Sequence, residues 1–248
     1  MSLTSTMDTG PGTVLFDLDG TLADTAPDIA AALDEVLAAQ GHPPAGLDAA
    51  RGWIGNGVER LLERALLDAT ARRPKADEVA RAVRAFLGSY STRLVARSCC
   101  YPGMIDLLGA LSGCGIRVGC VTNKPEAEAR AVLEGLGIAP LFGCVVGGDT
   151  TPEKKPSPLP VQRALAVLGA ARESTILVGD SDNDLRAATA AGVRSIWVTW
   201  GYQAPPQAPA DNFRIAESVA RLKEFLIPPV VAPADRVRPD VNRNHGIS

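Results

Sequence analysis

Residues 13–21 read Thr-Val-Leu-Phe-Asp-Leu-Asp-Gly-Thr, and in this segment a short apolar run gives way to two carboxylates. The run ending at Phe16 is typical of a buried strand, and Gly20 indicates a tight turn directly after it. From Thr25 onward the apolar residues recur at helical spacing, with Thr25 as the candidate N-cap. The segment therefore predicts a buried strand that ends in polar residues and leads into helical sequence.

After residue 103 the pattern changes to short apolar strands that alternate with helices. The periodicity predicts strands at 116–121, 144–146, 175–178 and 195–199, and helices at 104–112, 126–135, 158–168 and 184–191. Such alternation is typical of βαβ units and a parallel sheet. Residues 24–95 show helical periodicity instead, without a strand candidate. We therefore predict an α/β fold in which a doubly wound, Rossmann-like parallel sheet carries an inserted all-helical cap.

These patterns divide the chain into a core, a cap and two tails. The core is predicted to comprise residues 13–23 and 96–227, and the cap residues 24–95. Residues 1–12 are polar and rich in Gly and Thr, which predicts a disordered N-terminal tail. Residues 228–248 contain four prolines and little apolar sequence, so we expect a flexible C-terminal tail.

The composition favours a globular protein that acts on a small molecule. Hydrophobic residues make up 46% of the 248 and charged residues 21%, which is ordinary for a globular domain. The net charge is -3 with both signs interspersed, so we predict no nucleic-acid partner. There is no apolar run of roughly 18 residues and no secretion signal, so no membrane association is expected. The five cysteines fit no zinc spacing and predict reduced, mostly buried thiols in a cytoplasmic protein.

Polar residues follow four of the predicted strands, at the edge where a parallel sheet binds its ligands. In chain order they are Asp17, Asp19, Gly20 and Thr21; Thr122, Asn123 and Lys124; Lys154 and Lys155; and Asp180, Asp182 and Asp184. Several carboxylates beside a phosphate dianion need a cation, and Mg²⁺ prefers such oxygen ligands. A carboxylate can act as a covalent nucleophile toward phosphorus, while Thr, Asn and Lys suit the phosphoryl oxygens. Gly20 and Thr21 lie in a turn whose backbone N–H groups could face a phosphate.

Each of these segments also has an ordinary interpretation. An Asp-x-Asp pair alone also binds metals in sugar-nucleotide transferases or caps helices, Thr122-Asn123 could be an N-cap, and Lys155 could be a surface lysine. Asp180 to Asp184 resembles the start of an EF-hand loop, but Leu185 and Ala191 occupy the positions that require Gly and Glu. The sequence has neither a P-loop motif nor G-x-S-x-G. If all the ordinary interpretations were right, four unrelated polar segments would have met at one sheet edge by chance. We therefore favour a metal-and-anion site.

In combination the four segments resemble the motifs of the haloacid dehalogenase-like superfamily, in their usual order. The matches are Asp17 to Thr21 (D-x-D-G-T), Thr122-Asn123, Lys155-Pro156, and Gly179 to Asp184. The true dehalogenases lack the second Asp, so Asp19 favours phosphoryl transfer over carbon–halogen cleavage. Softer matches at 24–28, 53–57, 121–125 and 147–149 are similar to bacterial phosphoglycolate phosphatases, and the resemblance covers about residues 13–227.

The resemblance implies roles for individual residues. Asp17 would be the nucleophile and a Mg²⁺ ligand, and Asp19 the general acid, then the base, and a ligand through its backbone carbonyl. Asp180 would be the third ligand, with Asp184 supporting the ligands from outside. The phosphoryl oxygens would be held by Thr122, Asn123 and Lys155, with Lys154 as the alternative lysine.

The resemblance also implies a reaction, in which 2-phosphoglycolate is hydrolysed to glycolate and phosphate through an aspartyl-phosphate. The cap would close over the site, with Gly55-Asn56-Gly57 as the loop that faces the substrate. Lys124 and Arg60 are the basic residues best placed by sequence to meet the substrate's carboxylate.

Two alternatives remain open, one with another substrate for the same activity and one from a different class of function. The substrate could be another small phosphate, such as a sugar phosphate or pyrophosphate; phosphonoacetaldehyde would need a cap amine, for which the cap offers Lys75 alone. The chain could instead be a catalytically silent binding protein, although the intact carboxylates argue against that. Oligomeric state and the role of the C-terminal segment are not predicted.

Overall fold

The computed structural model describes residues 10–206 and 213–227. Most of the two predicted tails, residues 1–9 and 228–248, lies outside the described residues. The predicted N-terminal tail is wrong at its end, because Gly12 already pairs with the sheet. Its N–H donates to Ser174 O at 2.9 Å, and its carbonyl accepts from Arg117 N at 3.1 Å. These two hydrogen bonds extend the first strand's pairing by one residue.

The core is a six-stranded parallel sheet with the order β5-β4-β1-β6-β7-β8. Its strands are β1 Thr13–Phe16, β4 Arg117–Val121, β5 Cys144–Val146, β6 Thr175–Gly179, β7 Arg194–Val198 and β8 Phe213–Ala216. β1 and β6 are buried at every residue, as expected for strands covered on both faces. Because β1 lies between β4 and β6, its carboxyl end opens at the point where the strand order reverses, where such sheets bind ligands.

Helices cover both faces of the sheet, which confirms the doubly wound fold. The flanking helices are α5 Met104–Gly113, α6 Glu126–Gly135, α7 Leu159–Leu168, α8 Asp182–Ala191 and α9 Val219–Leu226. Apolar residues of α5, α6 and α9 pack in one cluster and those of α7 and α8 in another. Neither β8 nor α9 was predicted from the sequence.

Four helices lie between the first strand and the rest of the sheet. They are α1 Ala26–Ala38, α2 Leu47–Trp53, α3 Val58–Thr70 and α4 Ala76–Ser91, and they share an apolar cluster of their own. The prediction of no strand in this span is wrong at Asp24. There β2 Ala23–Asp24 pairs antiparallel with β3 Cys99–Cys100, where the chain leaves and re-enters the core. The exact division between core and cap stays a prediction.

Two further sequence expectations can be compared with the described part of the chain. The five cysteines are free thiols, but only Cys120 and Cys144 are buried, whereas Cys99 and Cys114 are exposed. The expectation of mostly buried thiols is therefore wrong. Among the helices of residues 10–206 and 213–227, none has the length and apolar character to cross a membrane.

Candidate active site

The carboxyl ends of the central strands bring distant polar residues together. Asp17 follows β1, and its N–H continues the sheet by donating to Val178 O at 2.9 Å. Thr122 follows β4 in the same way and donates its N–H to Val146 O at 3.0 Å. Asp180 follows β6 directly. The site is therefore built on the ends of β1, β4 and β6.

Three buried carboxylates form a cluster at this edge. One oxygen each of Asp17, Asp180 and Asp184 lies within 4.8 Å of the other two. Burial raises the pKa of Asp17 to about 6, against the attraction of Lys155. Burial also raises the pKa of Asp180 to about 8, and the neighbouring Asp17 and Asp184 add to that increase. The positive charge nearby does not offset the negative charge of the three carboxylates. Their oxygen atoms are ligands that suit a hard divalent cation such as Mg²⁺.

Lys155 is the cation of this cluster. Its Nζ lies 3.0 Å from Asp17 Oδ1 and 2.6 Å from Asp184 Oδ1, and it donates to Val121 O at 2.6 Å. Burial alone would lower the pKa of Lys155, but the two carboxylates outweigh it and raise that pKa, so the ammonium stays charged. The alternative lysine, Lys154, is not paired with this cluster; its Nζ lies beside Gly57 of the cap loop and 3.9 Å from a carboxylate oxygen of Glu59.

Asp180 is held by groups from two other segments. Thr21 Oγ1 donates to its Oδ1 at 3.2 Å, and Tyr202 N donates to its Oδ2 at 2.7 Å. Tyr202 was missed by the sequence analysis, although it follows the carboxyl end of β7 and the strand-end rule could have found it. Gly20 adopts a left-handed φ of 84°, and a Cβ there would lie 2.5 Å from Asp180 Oδ2.

The predicted role of the Gly20 and Thr21 backbone is contradicted. Gly20 N donates to Ala23 O at 2.9 Å and Thr21 N to Leu18 O at 3.3 Å, so both N–H groups close the turn rather than face a phosphate. The reason is that the turn after β1 satisfies its own backbone donors. Gly20 and Thr21 instead shape the site by leaving room for Asp180 and by bonding to it.

Asp184 lies inside the carboxylate cluster rather than outside it. It is the third residue of α8 and closes a capping box, accepting from Ser181 N at 3.1 Å and Ser181 Oγ at 2.5 Å. Its other oxygen accepts from Lys155. Gly179 leaves the space for this side chain, because a Cβ there would lie 2.3 Å from Asp184 Cγ.

Asp19 points its carboxylate away from the cluster, toward the start of the cap. Lys124 Nζ donates to its Oδ1 at 2.9 Å and lies 3.2 Å from its Oδ2, and Thr25 Oγ1 donates to Oδ1 at 2.6 Å. Helix α1 does begin directly after Thr25, but the Thr25 side chain makes no capping hydrogen bond. The Asp19 backbone carbonyl as a metal ligand stays a prediction.

Thr122 and Asn123 have different positions. Thr122 Oγ1 accepts from Lys124 N at 3.2 Å, which leaves its own O–H able to donate. Asn123 Nδ2 donates to Lys155 O and to Gly55 O, both at 2.9 Å. Asn123 therefore joins the lysine loop to the cap, and its amide N–H groups are directed at those carbonyls rather than into the cavity.

The predicted Gly55-Asn56-Gly57 loop does lie over the strand ends. Besides Asn123, Asn183 Nδ2 donates to Gly55 O and to Asn56 Oδ1, each at 3.1 Å. Gly55 and Gly57 adopt φ values of 107° and 86°, where glycine is favoured. These contacts hold the loop between α2 and α3 against the core.

Arg60 does not belong to the site. It is exposed and forms an ion pair with Glu63 on α3. The helical period directs Val58 and Leu61 of the same helix toward the cavity, and Arg60 lies off that face. The prediction that Arg60 meets the substrate is therefore wrong, because being one turn beyond the loop does not fix the direction of a side chain.

A cavity separates the strand ends from the cap. Its polar wall includes Asp17, Asp19, Thr122 and Lys124, and its cap wall includes Ile54, Leu61, Phe86, Leu87 and Tyr90. Tyr90 was also missed by the sequence analysis. It lies four residues after Phe86 on the apolar face of α4, a position that by pattern alone indicates core packing.

The comparisons with known proteins agree with this arrangement. The family model described as haloacid dehalogenase-like hydrolase matches residues 14–198. The phosphoglycolate phosphatase of Nitrosococcus oceani is 41% identical over 192 residues, which cover 77% of this chain and 85% of that protein. The one from Pseudomonas putida is 40% identical over 193 residues, covering 77% and 71%.

Solved structures have the same fold. A predicted phosphoglycolate phosphatase from Haemophilus somnus superposes with a TM-score of 0.77 at 33% identity, covering 84% of this chain and 95% of that one. CbbY from Rhodobacter sphaeroides, in complex with phosphate, has a TM-score of 0.73 at 29% identity, with coverages of 86% and 96%. Since the matched residues contain Lys155 and the carboxylate cluster and cover most of the described core, this chain belongs to the haloacid dehalogenase-like hydrolases.

Proposed function

We propose that this chain is a phosphatase that hydrolyses 2-phosphoglycolate to glycolate and phosphate in the cytoplasm. The observation that carries the proposal is the cluster of Asp17, Asp180 and Asp184 with Lys155 beside it. The cluster offers ligands for a cation, and Lys155 offers a positive charge beside the attacking carboxylate and the phosphoryl group. The choice of substrate is supported by relatives of about 40% identity that are named phosphoglycolate phosphatases.

The carboxylate cluster would hold Mg²⁺ through Asp17, Asp180 and Asp184. This set differs from the predicted one in that the Asp184 carboxylate takes part, whereas the Asp19 backbone carbonyl stays a predicted ligand. The ion, when bound, supplies positive charge that offsets the carboxylates and the phosphoryl oxygens. The raised pKa values of Asp17 and Asp180 support this fit, since a bound cation would favour the ionised form of both carboxylates.

The chain's own residues would carry the two chemical steps. In the first, an Asp17 oxygen bonds to phosphorus while the bond to the leaving oxygen breaks, and Asp19 gives that oxygen a proton. In the second, Asp19 takes a proton from water, whose oxygen attacks the phosphorus and frees Asp17. Both carboxylates line the cavity, which fits this division. Lys155 fixes the Asp17 carboxylate, and the Thr122 hydroxyl can donate to a phosphoryl oxygen.

A sugar bisphosphate is the second candidate substrate. A CbbY structure from Rhodobacter sphaeroides, 28% identical with a TM-score of 0.71, is described in complex with xylulose-(1,5)bisphosphate. Among the described residues that line the cavity, however, Lys124 is the one cation. A single cation suits one additional carboxylate better than a second phosphate dianion, so we favour phosphoglycolate.

A phosphate-release assay over a panel of small phosphates tests the proposal. The panel would include 2-phosphoglycolate, ethyl phosphate, a sugar bisphosphate and pyrophosphate, each with Mg²⁺. We expect the highest kcat/KM for 2-phosphoglycolate. No phosphate release from any member would leave the silent binding protein as the better hypothesis, and a preference for the bisphosphate would replace the proposed substrate.

A further inference from the structure

The hydroxyl of Tyr90 is buried on the cavity wall without a use in the fold. Tyr90 lies in the last turns of α4, has 1% of its surface exposed and lines the cavity together with Asp17 and Asp19. Within the described part of the chain, its hydroxyl has no hydrogen-bond partner. A buried hydroxyl without a partner is costly, and native proteins rarely retain one without a reason. A ligand that accepts a hydrogen bond in the cavity would supply that reason.

Lys124 lies beside this hydroxyl. Its Nζ lies over the Tyr90 ring, 4.7 Å from the ring centroid. Burial would lower the pKa of Lys124, but Asp19 and Tyr90 outweigh burial and raise it, so the ammonium stays charged. Burial raises the pKa of Tyr90, so the hydroxyl keeps its proton. A cation and a neutral donor therefore share one side of the cavity.

The surroundings hold Tyr90 in this position. Its ring stacks on Phe86, with centroids 5.5 Å apart and planes 14° apart. Neighbouring parts of the cap wall are apolar, including Ile54, Leu61 and Leu87. A carboxylate entering such a wall without partners would lose hydration at a cost of several kcal/mol. The site must therefore offer that carboxylate donors, and on the cap side Tyr90 offers one.

We propose that Tyr90 Oη and Lys124 Nζ together bind the carboxylate of the substrate, which makes Tyr90 a specificity-determining residue contributed by the cap. This inference rests on the proposed function, since it names the part of the site that selects a carboxylate-bearing phosphate ester. Lys124 comes from the core and Tyr90 from the cap. The subsite is therefore complete only when the cap lies against the strand ends, which couples recognition of the carboxylate to closure of the cavity.

The Tyr90→Phe variant tests this inference, because it removes the hydroxyl and keeps the ring on Phe86 and Lys124. We expect kcat/KM for 2-phosphoglycolate to fall about 10- to 100-fold, the loss that follows when a hydrogen bond to a charged group is removed. We expect kcat/KM for ethyl phosphate, which lacks the carboxylate, to stay within about twofold. The Tm without substrate should stay equal or rise, since the lost hydroxyl had no partner. Tyr101→Phe, which lies outside the cavity lining, is the matched control for both substrates.

The outcomes separate this inference from the proposed function. A wild-type enzyme without preference for 2-phosphoglycolate over ethyl phosphate would remove both the substrate and the subsite. A wild-type preference that persists in Tyr90→Phe would overturn the subsite alone. An equal loss on both substrates, or a lowered Tm, would assign Tyr90 a structural role and would also overturn it.

Discussion

At the scale of single residues, the two carboxylates of the first motif differ in what surrounds them. Asp17 accepts from Leu18 N at 2.7 Å and faces Lys155 within the carboxylate cluster. Asp19 accepts from Lys124 and Thr25, outside that cluster. The strand-end rule predicted that both would reach the site. It could not separate them, because the direction of a side chain after a strand depends on the turn.

Asp19→Asn should reduce kcat for 2-phosphoglycolate by about 10²- to 10⁴-fold, because an amide can neither give a proton to the leaving oxygen nor take one from water. Steady-state kinetics measure this. Asp182→Asn is the matched control, since Asp182 is 71% exposed and pairs only loosely with Arg186 at 3.5 Å. A value for Asp19→Asn within threefold of this control would remove Asp19 from the proton transfers.

Gly20→Ala should destabilise the protein by more than the backbone strain alone. Both Gly20 and Gly41 have left-handed φ values, 84° and 78°, where a side chain costs about 1–2 kcal/mol. A Cβ at Gly41 meets nothing within 4 Å, whereas one at Gly20 would lie 2.5 Å from Asp180 Oδ2. Urea unfolding of Gly20→Ala and Gly41→Ala compares the two. Equal losses of stability would show that the contact with Asp180 has no cost.

At the scale of elements, most strands of the sheet were predictable, including the edge strand β5, whereas the other edge strand, β8, was not. The strand at 13–16 was predicted with its observed bounds, and that at 175–178 was one residue short of Thr175–Gly179. Both are fully buried, so every residue is apolar or β-branched up to the final glycine. β8 was missed because Arg214 is exposed and Phe213 and Ile215 are only partly buried. Short α2 lies within the span predicted to be helical, but its bounds were not predicted, because it offers a single buried residue, Ala50.

The loop after β7 connects the start of the cap to the carboxylate cluster through Tyr202. Its hydroxyl accepts from Thr25 N at 2.8 Å and Ala26 N at 3.0 Å and lies 2.9 Å from Asp24 Oδ1, while its N–H bonds to Asp180. No motif predicted this, because the contacts join residues that are far apart in sequence. Tyr202 thus satisfies backbone donors at the first turn of α1.

Tyr202→Phe should lower the free energy of unfolding by about 1–3 kcal/mol, because the buried Thr25 N–H loses its acceptor and the Ala26 N–H keeps only Asp24 Oδ1 at 3.3 Å. Urea denaturation measures the change, with Tyr101→Phe as the control. This expectation is opposite to that for Tyr90→Phe, whose hydroxyl has no partner in the described chain. Unchanged stability in Tyr202→Phe would mean that water replaces the hydroxyl and that the contact does not hold the cap.

At the scale of the whole molecule, cap and core meet around an excess of negative charge. The cap loop at Gly55 is held by Asn123 and Asn183, which close the cavity over Asp17 and its neighbours. A cation that binds the native cluster and not the unfolded chain must stabilise the fold, by about 2.7 kcal/mol at a concentration 100 times its Kd. Metal binding should therefore be visible in stability as well as in activity.

Mg²⁺ should raise the Tm of the wild type by about 5 °C or more at saturating concentration, and a chelator should abolish both this shift and turnover. Asp180→Asn should lose the shift, because it removes one carboxylate of the cluster. The variant should still fold, since burial disfavours the charge at that position. Asp182→Asn should keep the full shift. Turnover in metal-free buffer at the wild-type rate, or an intact shift in Asp180→Asn, would contradict this metal site.

Transfer of the phosphoryl group to Asp17 is the step on which the whole mechanism depends, and it can be observed directly. Wild type, Asp17→Asn and Asp182→Asn would be quenched in acid during turnover of 2-phosphoglycolate with Mg²⁺, and their peptides analysed by mass spectrometry. We expect a phosphoryl group on Asp17 in wild type and Asp182→Asn, and neither that group nor turnover in Asp17→Asn, because the amide is a poor nucleophile. Two results would contradict transfer of the phosphoryl group to Asp17. One is turnover by Asp17→Asn at about a tenth of the wild-type rate or more, and the other is rapid wild-type turnover without any phosphorylated Asp17.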